Sequence, residues 1–198
     1  MNISKIAVAN FTDSERTFLS KSLSCASGYR FIQNRNIYEW LRLYQIDESE
    51  ICGFENQFLL AVSSFIERIN SEFQNSAFIS NGAVFSEALS LKFKMNEKSV
   101  ELNNSKETAM IENILNITGK YAARNYDLVI HVQNADSTNF DELSVSFYDK
   151  YHIPYKLYDG KKNINDILKN IAQEVEIPVV QSLESAIYET AGLVKFKN

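Results

Sequence analysis

The chain has 198 residues, enough for one domain with a full core, and its 45% hydrophobic and 12% aromatic content excludes a disordered protein. A formal net charge of −5 excludes a broad basic surface, and with it nucleic-acid binding as the main role, but leaves room for one local basic pocket. No apolar run approaches the roughly 18 residues of a membrane span, so the expectation is a cytoplasmic protein with no membrane attachment.

Taken in order, residues 6–9 form a short apolar run bounded by polar residues, which predicts a buried strand. A polar turn follows over residues 10–15, then a helix with Phe18, Leu19 and Leu23 at helical spacing, capped by Asp13 or Ser14. Cys25 and Cys52 are too few for a disulfide framework and read as small buried thiols. Residues 29–32 are a second strand. Ile37, Trp40, Leu41 and Tyr44 recur at three and four, an amphipathic helix over 35–45. Asp47, Glu48 and Glu50 start a long helix to residue 73, whose stripe Phe54, Phe58, Val62, Phe65, Ile66 and Ile69 reads as core.

Residues 76–80 are the next strand, ending at the turn dipeptide Asn81-Gly82. A helix spans about 84–94, residues 95–105 read as a loop, and a helix follows over 107–124. Residues 127–132 are β-branched and continuous, a central strand covered on both faces. A polar loop over 133–139, a helix over 140–151, a strand over 153–158 and a helix capped by Asn163 complete the series. Pro178 breaks the chain, and a last helix covers 181–194. His131 and His152 have no metal-ligand neighbours in sequence and read as structural.

Strands alternating with helices five times predict βαβ units: a three-layer αβα sandwich with a mostly parallel five-stranded sheet. Residues 1–176 form this domain, with 177–198 packed on it. Ligands in such folds sit at the carboxyl ends of the strands. The candidate site is therefore residues 10–17, 80–83 and 133–137.

Four stretches carry a resemblance. Residues 5–23 lie over a strand, a phosphate loop and a helix. Against G-x-x-x-x-G-K-S/T they read Asn10, Phe11, Thr12, Asp13, Ser14, Glu15, Arg16, Thr17. Residues 78–84 lie over a strand that ends in an acidic residue, 121–130 over a helix and strand, and 140–160 over a lid helix, strand and turn. In their order and spacing they resemble the P-loop nucleoside- and nucleotide-kinase-like ATPases, in particular small AAA-type proteins related to nicotinamide riboside kinases. The resemblance implies the P-loop kinase fold, with Asn10, Ser14, Glu15, Arg16 and Thr17 at the phosphate loop, Thr17 on Mg²⁺, and Asn81 at the reacting hydroxyl.

The chemistry departs from that pattern. Asn10 and Glu15 replace both glycines, and Arg16 replaces the lysine that reaches terminal phosphates. A carboxylate about 4 Å from a phosphate charge costs roughly 4 kcal/mol at an effective dielectric near 20. Asn81 orients a hydroxyl but cannot take its proton, and Glu87 is the one carboxylate placed to stand in. Residues 133–150, the lid, contain no arginine and instead carry Asp136, Asp141, Glu142 and Asp149. The expectation is a pseudoenzyme: a binding or regulatory module with a degenerate phosphate loop, no cofactor, and a protein partner or a second copy of itself, docked through the helix of Tyr38, Trp40 and Tyr44. The alternative is a divergent nucleoside, nucleotide or small-molecule kinase using ATP and Mg²⁺.

Overall fold

The computed structural model describes residues 3–10, 13–51, 53–97, 105–133 and 138–194. Five short apolar runs become the strands β1 (Lys5–Ala9), β2 (Arg30–Gln33), β3 (Phe78–Asn81), β4 (Leu128–Gln133) and β5 (Tyr155–Asp159), all parallel in the order β2-β3-β1-β4-β5. Register is fixed by pairs such as Val8 with Asn81, Ala9 with His131 and Gln133 with Asp159. Strand side chains alternate between faces. Ile6, Val8, Leu128, Ile130 and Val132 therefore point to one side, and Ala7, Ala9, Phe78 and Val129 to the other.

The first side is covered by α1 (Asp13–Ser27), α7 (Ile164–Glu174) and α8 (Leu183–Val194). The second is covered by α3 (Phe54–Phe73), α4 (Ser86–Asn96), α5 (Ser105–Asn125) and α6 (Thr138–Tyr151). This is the expected αβα sandwich on a five-stranded parallel sheet. The strand order reverses direction at β1, so the crevice above β1, β3 and β4 is the topological switch point. Among the described residues no helix is long and apolar enough to cross a membrane.

Local chemistry sets the boundaries. Asn36 caps α2 (Ile37–Tyr44) with a full capping box to Glu39, Asp47 caps a 3-10 turn at Glu48–Glu50, and Asn163 caps α7 through Asn165. The long helix expected from residue 49 instead starts at Phe54, because Gly53 separates it from that 3-10 turn. The loop expected over 95–105 shrinks at both ends, since α4 runs to Asn96 and α5 starts at Ser105; residues 98–104 lie outside the described residues, as do 134–137 of the second expected loop and Cys52. Cys25 is half-buried. At the end of the chain, Val180 donates its N–H to the Ala26 carbonyl at 2.8 Å and α8 lies along α1 with Ala186 and Thr190 buried.

One expectation about the core is corrected. Ile66, read as core, is exposed, because it sits on the outer edge of the α3 stripe while Phe58, Val62, Phe65 and Ile69 face inward. The helix carrying Tyr38, Trp40 and Tyr44 splits its aromatic residues, with Tyr38 and Tyr44 exposed and Trp40 turned inward. Trp40 is buried with Leu41 and Leu60, its ring stacks on Tyr44 at 5.6 Å, and the Tyr44 hydroxyl bonds Ser63 at 2.6 Å.

Candidate functional site

A cavity of about 640 Å³ opens at the carboxyl ends of β1, β3 and β4. Its lining brings together Asn10 just past β1, Ser14, Arg16 and Thr17 of α1, Asn81 of β3 and Glu87 of α4. Glu15 is not part of that lining: it is exposed on α1.

The β1–α1 connection is shorter than the sequence suggests. The expected turn runs to residue 15, but α1 is helical from Asp13, leaving residues 10–12 between strand and helix. A phosphate loop of the G-x-x-x-x-G-K spacing keeps its residues up to the second glycine out of the helix, so that successive N–H groups converge on one anion. Here residues 13–16 are the first turn of α1. What faces the cavity is a helix N-terminus with Asp13 and Glu15 in its first turn, where carboxylates complement the macrodipole.

Asn10 stands at the end of β1 with φ +56°, a left-handed conformation that Asn tolerates better than most residues. Its side-chain amide donates to the Asp141 carboxylate on α6.

Arg16 is held on two sides. Its Nη2 pairs with the Asp13 carboxylate one turn earlier, and its Nε donates to Asn81 Oδ1 at 2.9 Å. The other half of the Asn81 amide donates to Thr17 Oγ1 at 2.9 Å. One asparagine thus clamps two of the polar side chains that α1 extends toward the crevice. Asn81 can do so because β3 ends there beside Val8 of β1, and Gly82, at φ +98°, turns the chain away while donating its N–H to the Val8 carbonyl at 2.8 Å.

Beneath this clamp lies Arg68 of α3, 5% exposed. It donates to Ser80 Oγ, to the Gly82 carbonyl at 2.8 Å and to the Asn81 carbonyl at 3.0 Å. One turn on, Glu72 is buried and accepts from the Tyr126 hydroxyl at 2.9 Å, and Tyr126 in turn accepts from the Val84 N–H. Burial pushes the Glu72 carboxyl up to about 6, with the Arg68 charge and the Tyr126 hydrogen bond pulling the other way. The folded state therefore keeps a proton that the unfolded chain has already released between pH 4.5 and 6. Stability falls as pH rises through that window, by about 2 kcal/mol from this group. Urea midpoints for Glu72→Gln and the wild type should accordingly move apart in favour of Gln between pH 4.5 and pH 7; parallel curves would contradict the assignment.

On the β4 side, His131 is fully buried and, like Tyr148, lines the cavity. Its Nε2 lies 2.9 Å from Asp141 Oδ1 and its Nδ1 lies 2.8 Å from the Tyr148 hydroxyl. The partners fix the tautomer: a carboxylate only accepts, so Nε2 carries the hydrogen and Nδ1 accepts from Tyr148. Burial lowers the His131 pKa, and its bond to Asp141 and that carboxylate's charge raise it back. Tyr148 is pushed well above the usual range by burial. The imidazole is thus a neutral spacer joining α6 to β4, and Asn10 extends the chain to β1.

Of the residues singled out in the sequence, those of α1 except Glu15, and Asn81 of β3, reach this cavity; His131, Tyr148 and Arg68, which also line it, and Asp141 beside them were not placed there. Signals were present. Asp141, Ser144 and Tyr148 recur at three and four on α6, a polar stripe on the buried face, and Arg68 and Glu72 are four apart among apolar positions of α3.

No family model matches the chain, and no curated protein matches it. Solved structures do. Deoxyadenosine kinase from M. mycoides with dCMP and a flexible dCDP bound superposes with a TM-score of 0.63 at 13% identity, over 86% of this chain and 97% of that one. The same enzyme with dATP gives 0.61, also at 13%, over 86% and 98%. Such identity speaks to architecture alone. Together with the β2-β3-β1-β4-β5 parallel sheet and the helices on both its faces, it shows that the chain has the fold of the P-loop nucleotide kinases.

Proposed function

We propose that this chain is a pseudoenzyme, a kinase-fold binding or regulatory module that does not transfer phosphate. The observation that carries the reading is the state of the cations lining the cavity. Arg16 is held by Asp13 and Asn81, and Arg68 by Ser80, Asn81 and Gly82. The Lys21 ammonium sits 5.5 Å over the Phe31 ring, and Arg35 pairs with Glu67 at 3.5 Å and covers Trp40. Each of these four groups already has a partner within the chain. A triphosphate would have to replace those partners and also approach an α1 N-terminus that bears Asp13 and Glu15. Charge stabilisation in a phosphoryl-transfer site depends on preorganised, uncommitted donors aimed at the developing charge. The donor set of this cavity does not fit MgATP, and Thr17, bonded to Asn81, is not set up as a magnesium ligand.

The competing kinase reading rests on Glu87, an exposed carboxylate that lines the cavity. Thermal melting with MgATP and MgGTP separates the two. A ligand at 100 times its dissociation constant stabilises by roughly 2.7 kcal/mol, which is an easily read shift. The pseudoenzyme reading predicts a flat melting temperature up to millimolar nucleotide. A clear rise, together with phosphate transfer that Glu87→Gln abolishes while the rise persists, would establish the kinase instead.

A further inference from the structure

Arg68 and Glu72 stand one turn apart on α3, the spacing at which opposite charges on a helix meet. Both are buried, at 5% and 2% exposed, and the two form no ion pair with each other. Arg68 is turned instead to Ser80 and to the carbonyls of Asn81 and Gly82. It fits there because residue 82 is glycine, where a Cβ would come within 3.0 Å of Arg68 Nη2. Glu72 keeps Oε1 on the Tyr126 hydroxyl, while Oε2 accepts no hydrogen bond although the Tyr121 and Ser80 hydroxyls are near. A buried acceptor without a donor is a state that folded chains avoid, the more so when it is charged.

One guanidinium therefore has two anchors within reach. The turn offers it three uncharged acceptors; the orphaned Glu72 oxygen offers an ion pair, but only when that carboxyl is ionised. We propose that Arg68 is a proton-operated switch beneath the cavity: over a neutral Glu72 it stays docked on the Asn81–Gly82 turn as here, and over an ionised Glu72 it swings along α3 to Oε2 and lets the turn go. What moves with the turn is the cavity wall. Asn81, and beyond Gly82 also Phe85 and Glu87, line it, and the Asn81 amide bonds Arg16 and Thr17. Arg16 keeps Asp13 in either position. This supplies a regulator for the proposed binding module; its use rests on that reading, whereas the switch itself is a property of the fold. The groups acting on Glu72 are Arg68 of α3, Ser80 of β3, Tyr121 of α5 and Tyr126 just before β4. Burial and the Glu72 charge raise both tyrosines, which stay neutral, so Glu72 is the group of this cluster that changes charge between pH 5 and pH 8.

Nuclear magnetic resonance of the isotope-labelled full chain, with no nucleotide added, tests this between pH 4.5 and pH 8. The Glu72 carboxyl carbon should titrate near pH 6, and the Arg68 Nε–H and Gly82 N–H signals should shift with the same midpoint. The Gly82 N–H is held by the Val8 carbonyl. Its hydrogen exchange, corrected for intrinsic pH dependence, should quicken by about tenfold or more across that midpoint as the turn loosens. Glu72→Gln, neutral throughout, should hold the docked position, remove the shift and keep Gly82 exchange slow at pH 8. Should this variant fail to fold, the matched midpoints and the exchange step of the wild type decide alone. A Glu72 titration that leaves Gly82 exchange flat, or a Gly82 transition that persists in Glu72→Gln, overturns the switch. Binding of MgATP in a separate experiment would overturn the pseudoenzyme reading and leave this result standing.

Discussion

Arg68→Ala should cost about 3–5 kcal/mol of stability, a large part of what a domain of this size has. Among the described residues the guanidinium is the only side chain that bonds Ser80, Asn81 and Gly82 together, and its loss takes a donor from the buried carbonyl oxygens of Asn81 and Gly82. It also strips Glu72 of the one cation that counters its burial, so the Glu72 carboxyl should rise above 6 and the pH window of its destabilisation should widen upward. Arg68→Lys should recover only part of the loss, because an ammonium cannot span three acceptors with the geometry of a planar fork. Urea unfolding of the three proteins at pH 5 and pH 8 checks both statements. If Arg68→Ala unfolds within about 1 kcal/mol of the wild type, the turn at Gly82 holds without it.

Asp141→Ala should destabilise by a similar amount, while Asp141→Asn should be mild. Asp141 is 5% exposed and accepts both from His131 and from the Asn10 amide. Truncation leaves the buried His131 Nε2–H unpaired, with a penalty of about 1–3 kcal/mol, and also frees one hydrogen of the half-buried Asn10 amide and opens a void beside the ring. An asparagine at 141 keeps an accepting oxygen for both. The distinguishing readout is the histidine itself. Without the carboxylate, burial alone acts on the ring, and its pKa should fall further. Imidazole carbon chemical shifts followed against pH in the wild type and Asp141→Asn would record that fall, and an unmoved titration would show that the pair is not an electrostatic unit.

The fold was readable because it is written in periods. β4 is a continuous apolar run and α7 repeats at three and four, and both fall within a residue or two of their expected limits. The phosphate-loop region was readable as a place and misread as a shape. Asn10 does adopt the left-handed conformation that its side chain tolerates, but Asp13, read as a cap, is already helical, so residues 13–15 belong to the helix and not to the turn. That start depends on contacts far away in sequence, such as those of Arg16 with Asn81 and Asn10 with Asp141. The electrostatic obstacle expected from Glu15 is likewise relocated: Asp13 is the carboxylate that holds Arg16, and Glu15 points from the exposed side of the same turn. His131 looked structural because no metal-ligand partner stands near it in sequence. Its partners come from α6 and lie ten and seventeen residues on, where only the tertiary fold brings them to β4.

The central claim is that the cavity's cations are spent on partners within the chain. Isothermal titration of MgATP into the wild type and into Asp13→Ala/Asn81→Ala, side by side, tests it most directly. The double variant releases Arg16 from both its partners and Thr17 from Asn81. The account predicts no saturable heat for the wild type up to millimolar nucleotide and measurable binding for the variant. Saturation of the wild type below millimolar, with the variant no tighter, would contradict it.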